Sequence, residues 1–105
     1  MSKYFGEYFG SREDVRLQFS AENIADFPTE DEILFAAYDT PPYEGYALVV
    51  YARDGVLYEV NGSHCSCNGL EGQWEPEATP RAALAMRQLD YGTEANARFK
   101  ELFQS

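Results

Sequence analysis

Residues 46–60 read YALVVYARDGVLYEV, and this stretch decides the fold. Tyr46 to Ala52 is a run of aromatic, aliphatic and β-branched residues of strand length, the kind that suits a pleated, buried surface. Arg53-Asp54-Gly55 follows, a turn signal whose glycine takes positive φ without steric cost. Val56-Leu57-Tyr58-Glu59-Val60 then reads as a return strand carrying one acid. Working outward, Ile33 to Tyr38 is an apolar run of the length of a buried strand. Asp39 to Gly45, with Pro41-Pro42, is a loop between the two. Three strands at short spacing form an antiparallel meander. Such a sheet needs a cover on its apolar face.

The C-terminal third supplies that cover. Thr79 is placed to cap a helix whose first position is Pro80, where proline is best tolerated. Arg81 to Leu89 is rich in helix formers, Gly92 is a stop, and Thr93 opens a second helix with Phe99, Leu102 and Phe103 on one face. The expected fold is therefore α+β: one domain over residues 1–105, a small antiparallel sheet of three to four strands, and C-terminal helices on one face.

The N-terminal third is less decided. Tyr4-Phe5-Gly6 and Tyr8-Phe9-Gly10 repeat at helical spacing, but the glycines weaken a helix. Ser11 with Asp14 forms a capping pair ahead of a short helix over Arg12 to Phe19, while the alternation of Val15, Leu17 and Phe19 suits a strand equally. Ile24 and Phe27 tuck under the sheet, and Thr29 caps a turn holding Glu30, Asp31 and Glu32.

Residues 54–77, DGVLYEVNGSHCSCNGLEGQWEPE, hold both cysteines, the one histidine and the one tryptophan. Asn61-Gly62-Ser63 reads as a second breaker that ends the strand. Gly62, Gly69 and Gly72 then argue for a tight loop, and Trp74 is the apolar anchor that holds it to the body. This stretch resembles a segment, roughly DGxLYEVxGSHCSCxGLEGQWEPE, of small bacteriophage- and prophage-encoded proteins without an established activity. The likeness extends over Ile33 to about Leu89. It implies a phage accessory protein acting in the host bacterial cytoplasm, and it carries over no catalytic residue.

Composition narrows the function. With 45% hydrophobic and 15% aromatic residues among 105, the chain is globular rather than disordered. No apolar run is long enough to span a bilayer, and Met1 to Glu7 breaks off too soon for a signal peptide. A cytosolic setting keeps two cysteines reduced. The net charge of −10 is carried by the middle of the chain: from Leu17 to Pro80 a single base, Arg53, stands against twelve acids. Such a field repels nucleic acid and membranes and attracts basic protein surfaces.

The His64-Cys65-Ser66-Cys67 run is the stretch with candidate chemistry. Zinc takes four ligands, and here three soft ligands fall within four residues, with adjacent His64 and Cys65 badly placed to share one ion. A Cys65–Cys67 disulfide would close a strained ring. A thiol nucleophile needs a base oriented by a third group, which a neighbouring histidine does not supply. The alternative is two core-facing cysteines, with His64 turned outward or bonded to the loop backbone. No phosphate loop and no cofactor motif is present. We therefore expect a non-enzymatic protein that docks on a basic, nucleic-acid-binding surface of a bacterial host protein such as a CRISPR effector or restriction enzyme. It would inhibit or redirect that protein through Glu22, Asp26, Glu30, Asp31, Glu32, Tyr43, Glu44, Glu71, Trp74, Glu75 and Glu77, with Tyr38 and Tyr46 nearby. A homodimer with aromatics at its interface, and a small zinc or thiol module centred on His64, Cys65 and Cys67, are the competing expectations.

Overall fold

The computed structural model describes residues 3–39, 44–65, 69–89 and 91–104, with the backbone alone for Glu44 and Cys65. In chain order the elements are β1 (Tyr4–Phe5), α1 (Arg12–Gln18), β2 (Ile33–Tyr38), β3 (Glu44–Arg53), β4 (Val56–Cys65), β5 (Glu77–Ala78), α2 (Arg81–Ala85) and α3 (Thr93–Phe103). The fold is α+β. Among the described residues the strands form one five-stranded sheet in the order β1-β2-β3-β4-β5. It is antiparallel except where β1 pairs in parallel with β2. The two strands beyond the expected meander are two residues each, too short to leave a periodicity in sequence.

The β3–β4 hairpin is the spine. Asp54 and Gly55 both take left-handed φ, 55° and 79°, as a two-residue turn matched to strand twist requires. Ten residues then pair on each side, from Arg53 against Val56 to Glu44 against Cys65. The expected breaker at Asn61-Gly62-Ser63 is absent, and β4 runs through it. Gly62 is not there to turn the chain. Its inward side faces fully buried Leu70 and Phe19, and a Cβ would stand 2.8 Å from Leu70 Cδ2 and 3.2 Å from Phe19 Cε1. The glycine makes room for the layer that covers the sheet.

Both faces are covered, not one. On the first, Ala36, Tyr38, Ala47, Val49, Tyr51 and Val60 pack with Phe9, Val15, Phe19, Phe27 and Leu70, so α1, the loop after it and the segment after β4 form the cover. On the second, Phe35, Ala37, Leu48 and Val50 pack against Leu84, Ala95, Phe99 and Phe103 of α2 and α3. A register shift between Ile33 and Phe35 sends these two residues, which would share a face in a regular strand, to opposite faces. Phe35 to Tyr38 are all buried because each face of the sheet has its own cover. Each fully buried Phe or Leu contributes on the order of 1.5–3 kcal/mol.

The helix ends settle the remaining expectations. Ser11 Oγ accepts from the Asp14 N–H at 3.2 Å, so the capping pair selects the helix over the strand for α1. The start of α2 has Pro80 at its N-cap without a side-chain bond, and α2 stops at Ala85 rather than Leu89. Thr79 does not cap it: this residue is buried and its side chain bonds Glu59. In α3 the buried positions are Ala95, Phe99 and Phe103, one turn apart. Near the N-terminus Tyr4–Phe5 is strand, not helix. Gly6 follows at φ 105°, where any Cβ would overlap the Tyr38 carbonyl oxygen. The expected Asp39–Gly45 loop falls largely outside the described residues.

Candidate docking face

The acids that the sequence singled out lie chiefly on two loops, residues 20–32 and 69–77. Both are laid on the first face of the sheet by apolar anchors. Phe27 is buried, and the Trp74 ring sits 4.6 Å from it, 5.1 Å from Phe19 and 6.2 Å from Tyr51 between centroids. Trp74 is thus the expected anchor, and it joins the two loops to each other as well as to the sheet. The Gln73 amide adds a polar fastening. Its oxygen accepts from Ser63 N–H and its nitrogen donates to Ser63 O, both at 2.8 Å, in the manner of a strand residue pairing with the edge of β4.

Three arginines hold the 20–32 loop by its backbone. Arg12 Nε donates to Pro28 O at 2.6 Å, Arg16 Nη2 to Glu22 O at 2.6 Å, and Arg53 Nη2 to Asp26 O at 2.9 Å. In each case the guanidinium takes a carbonyl oxygen, and the carboxylates of Glu22 and Asp26 stay exposed. Glu32 is different. Arg53 grips it with two bonds, at 2.9 and 3.0 Å, and its carboxylate accepts the Thr29 N–H at 2.9 Å while Thr29 Oγ1 accepts the Glu32 N–H. Those donors, Arg53 first, lower its pKa to about 2. Glu30 accepts from the Tyr4 hydroxyl and lies 4.0 Å from Lys3 Nζ.

The sequence set is therefore divided. Glu22, Asp26, Asp31, Glu71, Glu75 and Glu77 are exposed and, among the described residues, carry no ion pair, whereas Glu30 and Glu32 are engaged internally. Glu77 stands apart from the two loops. It pairs directly with Glu59 across β4–β5, and cross-strand partners share a face, so it looks to the α2–α3 side. Tyr38 is core, 9% exposed, with burial raising its pKa. Tyr46 is 60% exposed, and its place in the alternation of β3 puts it on the α2–α3 side. Tyr43 and the side chain of Glu44 lie outside the described residues.

His64 stacks on Tyr38 at 4.2 Å, 12° from parallel, with Nε2 2.6 Å from Asp39 O. A carbonyl only accepts, so Nε2 carries the hydrogen and only Nδ1 is left to act as a ligand. Cys67 and the side chain of Cys65 lie outside the described residues. Among those described, no three His, Cys, Asp or Glu side chains are grouped to hold a metal, and no helix is long and apolar enough to cross a membrane.

One charged cluster escaped the sequence reading. Glu59, 8% exposed, accepts two bonds from Arg87 at 2.9 and 3.0 Å and one from Asn61 Nδ2 at 2.7 Å. These donors, Arg87 foremost, outweigh burial and lower its pKa to about 2. A lone acid inside the apolar run 56–60 was the available signal, but its partner lies 28 positions away. No protein-family model matches the chain, and neither curated proteins nor solved structures give a match.

Proposed function

We propose that this is a phage-encoded accessory protein that docks on a basic, nucleic-acid-binding surface of a bacterial host protein in the host cytoplasm and inhibits or redirects it without catalysis. A CRISPR effector or a restriction enzyme is the class of target we propose. The phage origin rests on the resemblance of residues 54–77. The observation that carries the docking mode is the use of Arg12, Arg16 and Arg53 to hold the acidic loop through carbonyl oxygens. Arg16 and Arg53 fasten the backbone of Glu22 and Asp26 and leave their carboxylates exposed. A carboxylate held on an ordered loop loses less conformational freedom on binding than one on a floppy tail.

The test is capture from bacterial lysate at low and high salt. The native chain is compared with a variant carrying Glu22→Gln, Asp26→Asn, Glu71→Gln and Glu75→Gln. We expect a nucleic-acid-binding protein to be retained at low salt, released at high salt and by added DNA, and not retained by the variant. Retention that is indifferent to salt and to the four substitutions would falsify the acidic-face reading.

A further inference from the structure

A second feature lies on the opposite face of the sheet and does not rest on the reading above. Between the open end of the β3–β4 hairpin and the segment after α2 there is a cleft of about 360 Å³. The residues that give it character are Asp39, Tyr46, Asn61, Arg87, Leu89 and Tyr91. Tyr46 is 60% exposed beside it, an uncovered aromatic ring on an otherwise packed sheet face. Tyr91 is half-buried at the wall. Its phenol is pushed up to about 12, by burial first and by Asp39 next, so it remains a neutral ring at physiological pH.

The charges decide what such a cleft prefers. Arg87 would repel a cation, but its guanidinium is bound in both arms by Glu59, so the pair presents little net charge. Asn61 commits Nδ2 to Glu59, leaving its amide oxygen as an acceptor. What remains is the Asp39 carboxylate, the amide groups of Asn61 and Gln88 and two phenol rings. Aromatic faces attract cations. A planar guanidinium in particular stacks on rings while its N–H fork reaches carboxylate and amide oxygens. We propose that this cleft is a binding site for a guanidinium head group, with Tyr46 and Tyr91 contributing the aromatic faces and Asp39 the counter-charge.

The test is titration of the isotope-labelled whole chain, at low salt, with Nα-acetyl-arginine amide, following backbone amide shifts. The site predicts saturable shifts centred on Tyr46, Asn61, Leu89 and Tyr91. Tyr46→Ala and Asp39→Asn should each weaken binding about three- to tenfold. Neither touches the core, since Tyr46 is exposed and the Asp39 change preserves shape. Methylguanidinium, run in parallel, separates the two sources of this chemistry. Tighter binding of the capped residue marks a peptide arginine, and tighter binding of the bare head group marks a small-molecule cation. The proposal is overturned if no shift saturates, if the neutral isostere Nα-acetyl-citrulline amide binds equally well, or if Nα-acetyl-glutamate amide is preferred.

Discussion

Replacing Arg87 by methionine should destabilise the protein by about 3 kcal/mol at pH 7, and the deficit should shrink as the solution is acidified. Arg87 sits on the cover of the second face and Glu59 on β4 beneath it, with side chains 32% and 10% exposed. Removing one partner of a buried pair leaves a desolvated charge and costs about 3–5 kcal/mol. Water reaches Arg87, which places this site at the lower end. The pKa gives a figure of the same order. Glu59 is lowered from 4.5 to about 2, and at about 1.4 kcal/mol per unit this is about 3.5 kcal/mol.

The sign is fixed by the direction of that shift. Because the folded value lies below the unfolded one, the contribution is fully present above pH 4.5, declines as pH falls toward 2, and is gone below that. In Arg87→Met the foremost donor that lowers the pKa is lost, while burial, which raises it, and the lesser donors Asn61 and Thr79 remain. The variant therefore gains on the native protein as Glu59 takes up a proton. Urea unfolding followed by Trp74 fluorescence at pH 7 and pH 3 measures the gap. It should fall from about 3 to about 1.5 kcal/mol or less. The double change Glu59→Gln with Arg87→Met should recover most of the loss, since no buried charge is stranded. A deficit under about 1 kcal/mol at pH 7, or one of constant size down to pH 3, would show that the pair is solvated and contributes little.

Two further substitutions probe the first face. Gly62→Ala should cost about 1–3 kcal/mol by overpacking, because the added methyl meets Leu70 and Phe19, both fully buried; a thermal midpoint equal to that of the native chain would restore the idea that Gly62 serves only to bend the backbone. Trp74→Ala should cost about 3 kcal/mol and, more tellingly, speed amide exchange at Leu70 and Gln73, since the ring ties that loop to Phe19 and Phe27. Unchanged exchange there would mean that the Gln73–Ser63 bonds suffice to hold the loop.

The hairpin and β2 were legible because their signals are local: strand-length apolar runs and an Asp-Gly turn. What failed depends on partners distant in sequence. Asn61-Gly62-Ser63 has the composition of a turn, and only Phe19 and Leu70, packed against Gly62, show why a strand needs a glycine there. The second cover was half visible. Phe35 to Tyr38 show no polar alternation, which is the mark of a strand buried on both faces, yet the N-terminal third that provides the cover is ambiguous until the Ser11–Asp14 cap resolves it. Of the docking face, the acids could be read from composition. Their arrangement could not, because it rests on Arg12, Arg16 and Arg53 reaching carbonyls that no spacing rule connects to them.

Those same arginines limit what the proposed docking face can do. An arginine bonded to a carbonyl keeps its charge, and within a Debye length of about 10 Å at 0.1 M salt that charge is felt. The two loops up to Glu75 bring Glu22, Asp26, Glu30, Asp31, Glu32, Glu71 and Glu75, and they are held or flanked by Lys3, Arg12, Arg16 and Arg53. With Glu13 and Asp14, which share α1 with Arg12 and Arg16, the excess is five negative charges, half of the chain total of −10. Duplex DNA presents about one charge per 1.7 Å of axis, a density this face does not approach. A chain acting here as a decoy would therefore not win by imitating the field of a nucleic acid from afar. It would win at contact, where rigidly held carboxylates meet individual lysines or arginines. Substituting single acids should accordingly act more on the dissociation rate than on the association rate, the reverse of what long-range steering produces.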